Sequence, residues 1–496
     1  MQQLSALDAA FVYTEGKNSP QHIGSIAIYD PSTSPNGKIR FKDVLAYFQS
    51  RLGCAKAFRQ KLVRVPLDLD HPYWIEDAEF DLEYHVRHIA LPAPGDWRQL
   101  CIQTARIHAR PLDMTKPLWE YWIVEGLDTI EGVPPGSWAI VSKVHHAAID
   151  GASGMEMTAA LHDLDPDAPP RVIHDDWKPE EVPSAGELLA KAHLNSLTQP
   201  WRIGEMIANA LPGLSELRKK VTAGEISLEN AGTCPNTRFN RNLSPHRVVD
   251  GITMPMAEVK MIRQAVSGAT VNDVLLSIVG GGLRNYLEAK GELPDKSLTT
   301  TCPISVRSDA DKGSAGNQVA AMIVKLSTDV ADPLERLRRI VADSKNSKAM
   351  VGAIGAKNIA QSSELMPGAL VGLASRLSSQ IFASDSAVPA SNCIVTNVPG
   401  PMTPLFFCGA RMIRMHGTGP LTHGMGLINI INSYCGEVAL SFTSDRDMMP
   451  DPAEYAAALR QSADELLAAA KVGDPTSATP EVQTRQDQVG QETQGK

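Results

Sequence analysis

The sequence predicts a mixed α/β protein of two halves joined by a crossover, and three observations carry that prediction. Short apolar, β-branched runs such as residues 138–144 and 319–326 alternate with stretches of helical periodicity such as 272–287. A Pro- and Asp-rich stretch at 165–183 interrupts this alternation and reads as an exposed connector. The chain is 496 residues long and 43% hydrophobic, which supplies apolar mass for roughly two to three domains.

Each element has its own justification. Residues 23–29 (Ile-Gly-Ser-Ile-Ala-Ile-Tyr) and 138–144 (Trp-Ala-Ile-Val-Ser-Lys-Val) are rich in strand formers. The second is expected to be largely buried. Residues 100–109 read as a helix, as do Met155, Met157, Ala159, Ala160 and Leu161, with Ser153 and Gly154 as start signals. Helical segments from 185 to 228 continue the crossover and 233–244 is irregular. Beyond it, helix 272–287 and strands 319–326 and 438–442 form the second half. The expected division is 1–164, 165–245 for the crossover, 246–471, and a tail at 472–496. That tail is polar and poor in apolar groups, so it is expected to be disordered. No internal repeat is evident.

Charge and cysteine usage narrow the function. A net charge of −9 gives no basic field for nucleic acid, so small molecules are the expected partners. Seven scattered cysteines, at 54, 101, 234, 302, 393, 408 and 435, show no paired spacing, as in proteins of a reducing compartment. The N-terminus lacks the basic and apolar regions of a secretory signal, and no run reaches about 18 apolar residues. A cytoplasmic location is expected. Two amphipathic stretches, 201–220 and 366–382, are candidates for peripheral contact with a membrane or lipid surface, against the commoner reading as helices packed on a core.

The chemistry concentrates in His145-His146-Ala147-Ala148-Ile149-Asp150-Gly151, at the junction of strand 138–144 and the following helix. Neighbouring strand residues point to opposite faces, so one histidine is expected to work and the other to support it. A neutral imidazole can take the proton of a hydroxyl as it attacks, an effect of roughly 100- to 10,000-fold in rate. Asp150 could bond an imidazole or pin the loop, with Gly151 permitting a tight turn. A lone histidine is more often a satisfied core group. A metal site is disfavoured because no H-E-x-x-H, C-x-x-C or nearby third ligand accompanies the pair.

These residues carry a resemblance. His145–Gly151 resembles the HHxxxDG motif of the bacterial wax ester synthase/acyl-CoA:diacylglycerol acyltransferase family, within the CoA-dependent acyltransferases that share an HxxxD core. Further blocks resemble that family in order: residues 4–11, Pro111-Leu112-Asp113 with Lys116 to Glu120 (the PLW block), and 271–275 (the ND motif). After them come 302–307 (P-x-S-V-R), 316–318, 396–401, 427–429 and 433–436. Ala6 replaces the usual proline and Thr396 the usual serine.

The resemblance implies two sandwiches of the chloramphenicol-acetyltransferase type with the active site in a tunnel between them. It assigns His146 as the general base, with His145 and Asp150 as supports. Asn272 is implied to bind substrate, although an Asn ahead of an apolar run is commonly a helix N-cap. Gly151, Pro117, Leu118 and Trp119 are assigned to the substrate channel. Arg307 is a candidate partner for Asp150, and residues 397–401 a rigid turn in the tunnel wall. The implied reaction carries a long-chain acyl group from acyl-CoA, a co-substrate and not a bound cofactor, to diacylglycerol or a long-chain alcohol. No G-x-S-x-G elbow is present, so direct transfer is expected. Two alternatives stay open: a related enzyme with an amine or polyketide hydroxyl as acceptor, and a lipid-binding paralogue of low activity.

Overall fold

The computed structural model describes residues 1–34, 37–149, 153–169, 171, 177–196, 219, 222–223, 234–305, 319–354 and 391–472. Two six-stranded sheets and one three-stranded sheet carry the fold. The small sheet joins β1 (Gln2–Gln3), β4 (Tyr73–Glu76) and β3 (Gln60–Val63).

The first large sheet has the order β12 (Phe406–Phe407), β13 (Ala410–Thr418), β2 (His22–Asp30), β7 (Trp138–His145), β6 (Trp119–Glu125), β5 (Val86–Ala90). Strands β2 and β7 are antiparallel, with His22 opposite His145 and Tyr29 opposite Trp138. Helices α1 (Ala6–Thr14) and α2 (Phe41–Gln49) contribute to the core on one face, where Val12, Phe48, Trp119 and Tyr29 meet. Helix α4 (Trp97–His108) covers the other, packing Leu100 and Ala105 with Ile26, Ile28 and Val141. Burial on both faces explains why β7 is nearly continuous in apolar residues. A capping box between Asp96 and Gln99 starts α4 three residues before the predicted helix.

The second large sheet has the order β10 (Val319–Lys325), β9 (Thr299–Ser305), β11 (Cys393–Pro399), β14 (Leu427–Tyr434), β15 (Glu437–Asp445), β8 (Arg247–Pro255). Helices α7 (Met256–Gln264), α8 (Val271–Ala289), α9 (Pro333–Ile354) and α10 (Pro452–Val472) contribute to its core. Residues 397–399, expected in a turn, instead end β11 in parallel register with β14. The connector at 165–169 and 177–183 has no regular structure, and α6 (Ala185–Ser196) follows it.

The two sheets are not drawn from two contiguous stretches. Strands β12 and β13 leave the second half and complete the first sheet, Thr418 pairing with Gly24 and Arg411 with Asp30. A linear division at 164 and 246 therefore crosses a shared sheet. The exchange brings β13 against β14, where a Cβ on Gly417 would lie 2.5 Å from Ile430 Cγ2; only glycine permits that approach.

The halves also meet through side chains. Trp97 Nε1 donates to Asp250 Oδ1 at 2.8 Å, and Asn18 Nδ2 to the Leu243 carbonyl at 3.0 Å. The buried Arg247 guanidinium donates to the Asn18 carbonyl and stands 3.6 Å from Asp445. No described helix is long and apolar enough to cross a membrane. Residues 201–218 and 366–382, and the tail at 473–496, lie outside the described residues.

Candidate active site

Strand β7 ends at His145, and a single 3-10 turn, His146–Ala148, follows at once. The strand end is pinned on both sides, because His145 N–H donates to the Leu118 carbonyl at 2.9 Å and His146 N–H to the Gln21 carbonyl at 2.8 Å. The two imidazoles diverge from there. His145 turns to the α4 face, fully buried, while His146 lies on the α1 side against Phe11 with ring centroids 3.8 Å apart and planes at 14°.

His145 has a defined tautomer. The Ala147 N–H donates to its Nδ1 at 3.0 Å, so Nδ1 is bare and Nε2 carries the proton. That Nε2–H faces Glu15 Oε2 at 3.3 Å. The same Glu15 oxygen accepts from the Gln21 N–H at 2.6 Å.

Behind this pair lies a buried basic cluster. His22 and His108 stand with ring centroids 6.0 Å apart, and His22 and His145 6.1 Å apart. Burial holds His108 at about 3 and keeps His22 well below the ordinary imidazole value, with neighbouring positive groups pushing the same way. Lys143 is buried beside them and bonds Glu120 Oε2 at 3.1 Å and the Arg110 carbonyl at 3.1 Å. Burial lowers its pKa while Glu120 partly offsets the shift.

Burial likewise depresses His146, to about 4, and His145 adds to the shift. Its imidazole is therefore neutral at neutral pH. Its Nδ1 is enclosed with no hydrogen-bond partner among the described residues. The arrangement presents an uncharged imidazole, held flat by an aromatic ring, at the end of a strand anchored from two directions.

The other expected site residues fall differently. Asp150, Gly151 and Arg307 lie outside the described residues. Leu118 and Trp119 are fully buried in the core, and Trp119 Nε1 donates to the Phe58 carbonyl at 3.0 Å while its ring stacks on His85. Pro117 is buried with them. The PLW block thus packs in the core and anchors the strand end. Asn272 is half-buried in the first turn of α8, and the cap is Thr270, whose hydroxyl accepts from Asp273 N–H in a capping box. Asp273 is the buried member of the pair. Among the described residues, no group of three or more His, Cys, Asp or Glu is placed to hold a metal ion.

Sequence reasoning missed Glu15, Gln21, His22, His108 and Lys143. Phe11 was within reach, since it closes the block at 4–11. Glu15 offered no spacing signal, because its contact with His145 spans 130 residues.

Comparison with known proteins identifies the family. Residues 4–275 match the wax ester synthase/diacylglycerol acyltransferase catalytic domain, and 315–467 the C-terminal domain of the same family. A Mycobacterium tuberculosis protein, provisionally named a diacylglycerol O-acyltransferase, is 33% identical over 480 residues, covering 95% of this chain and 98% of its own. The structure of the wax ester synthase/diacylglycerol acyltransferase from Marinobacter aquaeolei VT8 superposes with a TM-score of 0.67 at 23% identity, covering 95% of this chain and all of that one. The trichothecene 15-O-acetyltransferase of Fusarium sporotrichioides shares the fold at a TM-score of 0.57 and 12% identity, with 95% and 94% covered. The chain belongs to the wax ester synthase/diacylglycerol acyltransferase family.

Proposed function

We propose that the protein moves a long-chain acyl group from acyl-CoA to the hydroxyl of diacylglycerol, making triacylglycerol, and that fatty alcohols can replace diacylglycerol to give wax esters. The observation that carries this reading is the neutral, oriented imidazole of His146 within a chain of this family. With Nδ1 enclosed, Nε2 is the nitrogen assigned to the substrate. It removes the hydroxyl proton as the oxygen attacks the thioester carbonyl. The tetrahedral intermediate collapses with cleavage of the C–S bond, and the imidazolium returns its proton to the departing thiolate, releasing CoA as thiol. Ester formation and proton return balance without a covalent acyl-enzyme.

Burial keeps the base unprotonated and excludes water, which would otherwise compete as acceptor. Because the acceptors are lipids, the protein is expected to meet them at a membrane or droplet surface, with 201–220 and 366–382 as the candidate contacts. The deciding experiment is release of CoA thiol with diacylglycerol, hexadecanol and an amine as acceptors, for the parent and His146→Ala. Acylation of diacylglycerol by the parent, lost on substitution, is expected. Turnover near the parental rate in His146→Ala refutes the base assignment, and transfer confined to the amine refutes the acceptor.

A further inference from the structure

Glu15 lies just past the end of α1, beside the ends of the central strands β2 and β7, with its side chain 14% exposed. Its Oε2 accepts two hydrogen bonds, one from the Gln21 backbone at 2.6 Å and one from His145 Nε2 at 3.3 Å. Its Oε1 is buried, has no hydrogen-bond partner among the described residues and stands 3.9 Å from His22 Nε2. That His22 nitrogen is itself bare, because it accepts from the Leu112 N–H at 3.3 Å.

We propose that Glu15 is a positioning residue of the transfer reaction: by accepting from His145 Nε2 it fixes that imidazole's tautomer and so holds the turn that carries His146. The inference rests on His146 being the base. The chain of causes is short. An acceptor at Nε2 keeps the proton there, which leaves Nδ1 free to accept the Ala147 N–H and close the 3-10 turn. The opposite tautomer would point an Nδ1–H at that N–H, two donors facing one another, and would open the turn.

The Gln21 bond adds a second restraint. Glu15 ties the segment after α1 to Gln21, and the Gln21 carbonyl receives the His146 N–H. One carboxylate oxygen thus organises both histidines, His145 through its ring and His146 through its backbone. The segment between Glu15 and Gln21 also carries Asn18, which binds the second half at Leu243 and Arg247.

The geometry separates acceptor from charge. A glutamine at this position can place its amide oxygen where Oε2 now sits and accept both bonds, while its NH2 group turns toward His22. A methionine matches the length and cannot supply the acceptor. Turnover of the full chain with acyl-CoA and diacylglycerol is measured for Glu15→Met and Glu15→Gln, together with imidazole nitrogen NMR of His145. Glu15→Met is expected to lower kcat by about 10- to 100-fold, as for a displaced catalytic group, with KM for acyl-CoA nearly unchanged. Its His145 is expected to lose the single Nε2-protonated form. Glu15→Gln is expected to keep that form and stay within about threefold of the parent in kcat.

The proposal is overturned by parental kcat in Glu15→Met, by an unchanged His145 tautomer in that variant, or by Glu15→Gln losing as much as Glu15→Met. Should Glu15→Met fail to fold, the kcat and tautomer of Glu15→Gln decide alone. Failure of the base reading would show separately, as turnover in His146→Ala, and would leave the tautomer result standing.

Discussion

Phe11 lies flat on His146, with 3.8 Å between ring centroids and 14° between planes. The stack does two things at once: it orients the imidazole and removes water from one of its faces, which is why burial is the leading cause of its depressed pKa.

Phe11→Leu is therefore expected to admit water and raise His146 from about 4 toward the ordinary imidazole value near 6.5. The base works unprotonated, so a higher pKa means that activity is lost sooner as pH falls. The acid limb of kcat/KM should move up by about one unit or more. A pH profile between 5 and 8 that superposes on the parental one contradicts the assignment.

His108 and His416 are buried and held at about 3. Both are neutral in the fold and take a proton near 6.5 when unfolded, so their stability contribution is complete above 6.5 and drains away as pH falls toward 3. Between pH 7 and pH 5 each is expected to cost about 2 kcal/mol. Urea unfolding at the two pH values measures this, and replacing His416 by Gln should flatten the dependence. Equal midpoints at pH 5 and 7 would count against it.

Arg247 donates to the Ser244 carbonyl at 2.7 Å, to the Asn18 carbonyl, and faces Asp445, both side chains being buried. Arg247→Met removes the counter-charge of the Asp445 carboxylate, which keeps its bonds from Ser244 and from the Asp447 N–H, and unties the halves, at an expected cost of about 3 kcal/mol. Arg247→Met combined with Asp445→Asn should recover part of that loss. Thermal unfolding of the three proteins tests the pairing, and a single variant as stable as the parent excludes it.

Gly24 sits two residues from the His22 and His145 pair, and a Cβ there would lie 2.0 Å from the Ser142 carbonyl oxygen. Because the obstacle is backbone, Gly24→Ala must push β2 from β7. The expected cost is about 1–3 kcal/mol with a fall in kcat, read by unfolding and turnover together. Full activity and stability would show that the strands can absorb the methyl group.

Legibility varied with the range of the interaction concerned. The β7 strand and the divergence of His145 and His146 follow from local pattern, and the structure agrees with both, whereas the 3-10 turn at His146–Ala148, read from the sequence only as a loop, came from the structure. Asn272, given a substrate-binding role by resemblance with an N-cap as the alternative, does not cap α8: Thr270 does, and the reciprocal bonds of Asp273 identify it. Trp119 was expected, because its block resembles a family motif, to pack and to shape the acyl channel. A motif records that a residue matters and not which way its ring points, and here the ring points into the core.

By itself, the sequence determined the mixed α/β class, the place of His145 and His146 at the end of a buried strand and, through ordered motif matches, the family. These depend on residue type and spacing over a few tens of positions, which local sterics and periodicity encode directly. Only the tertiary structure decided that residues 406–418 complete the first sheet, that Glu15 meets His145 and that three histidines and Lys143 share one buried cluster. Backbone hydrogen bonds between strands are blind to side-chain identity, and contacts across more than a hundred residues are set by how the two sheets close on each other.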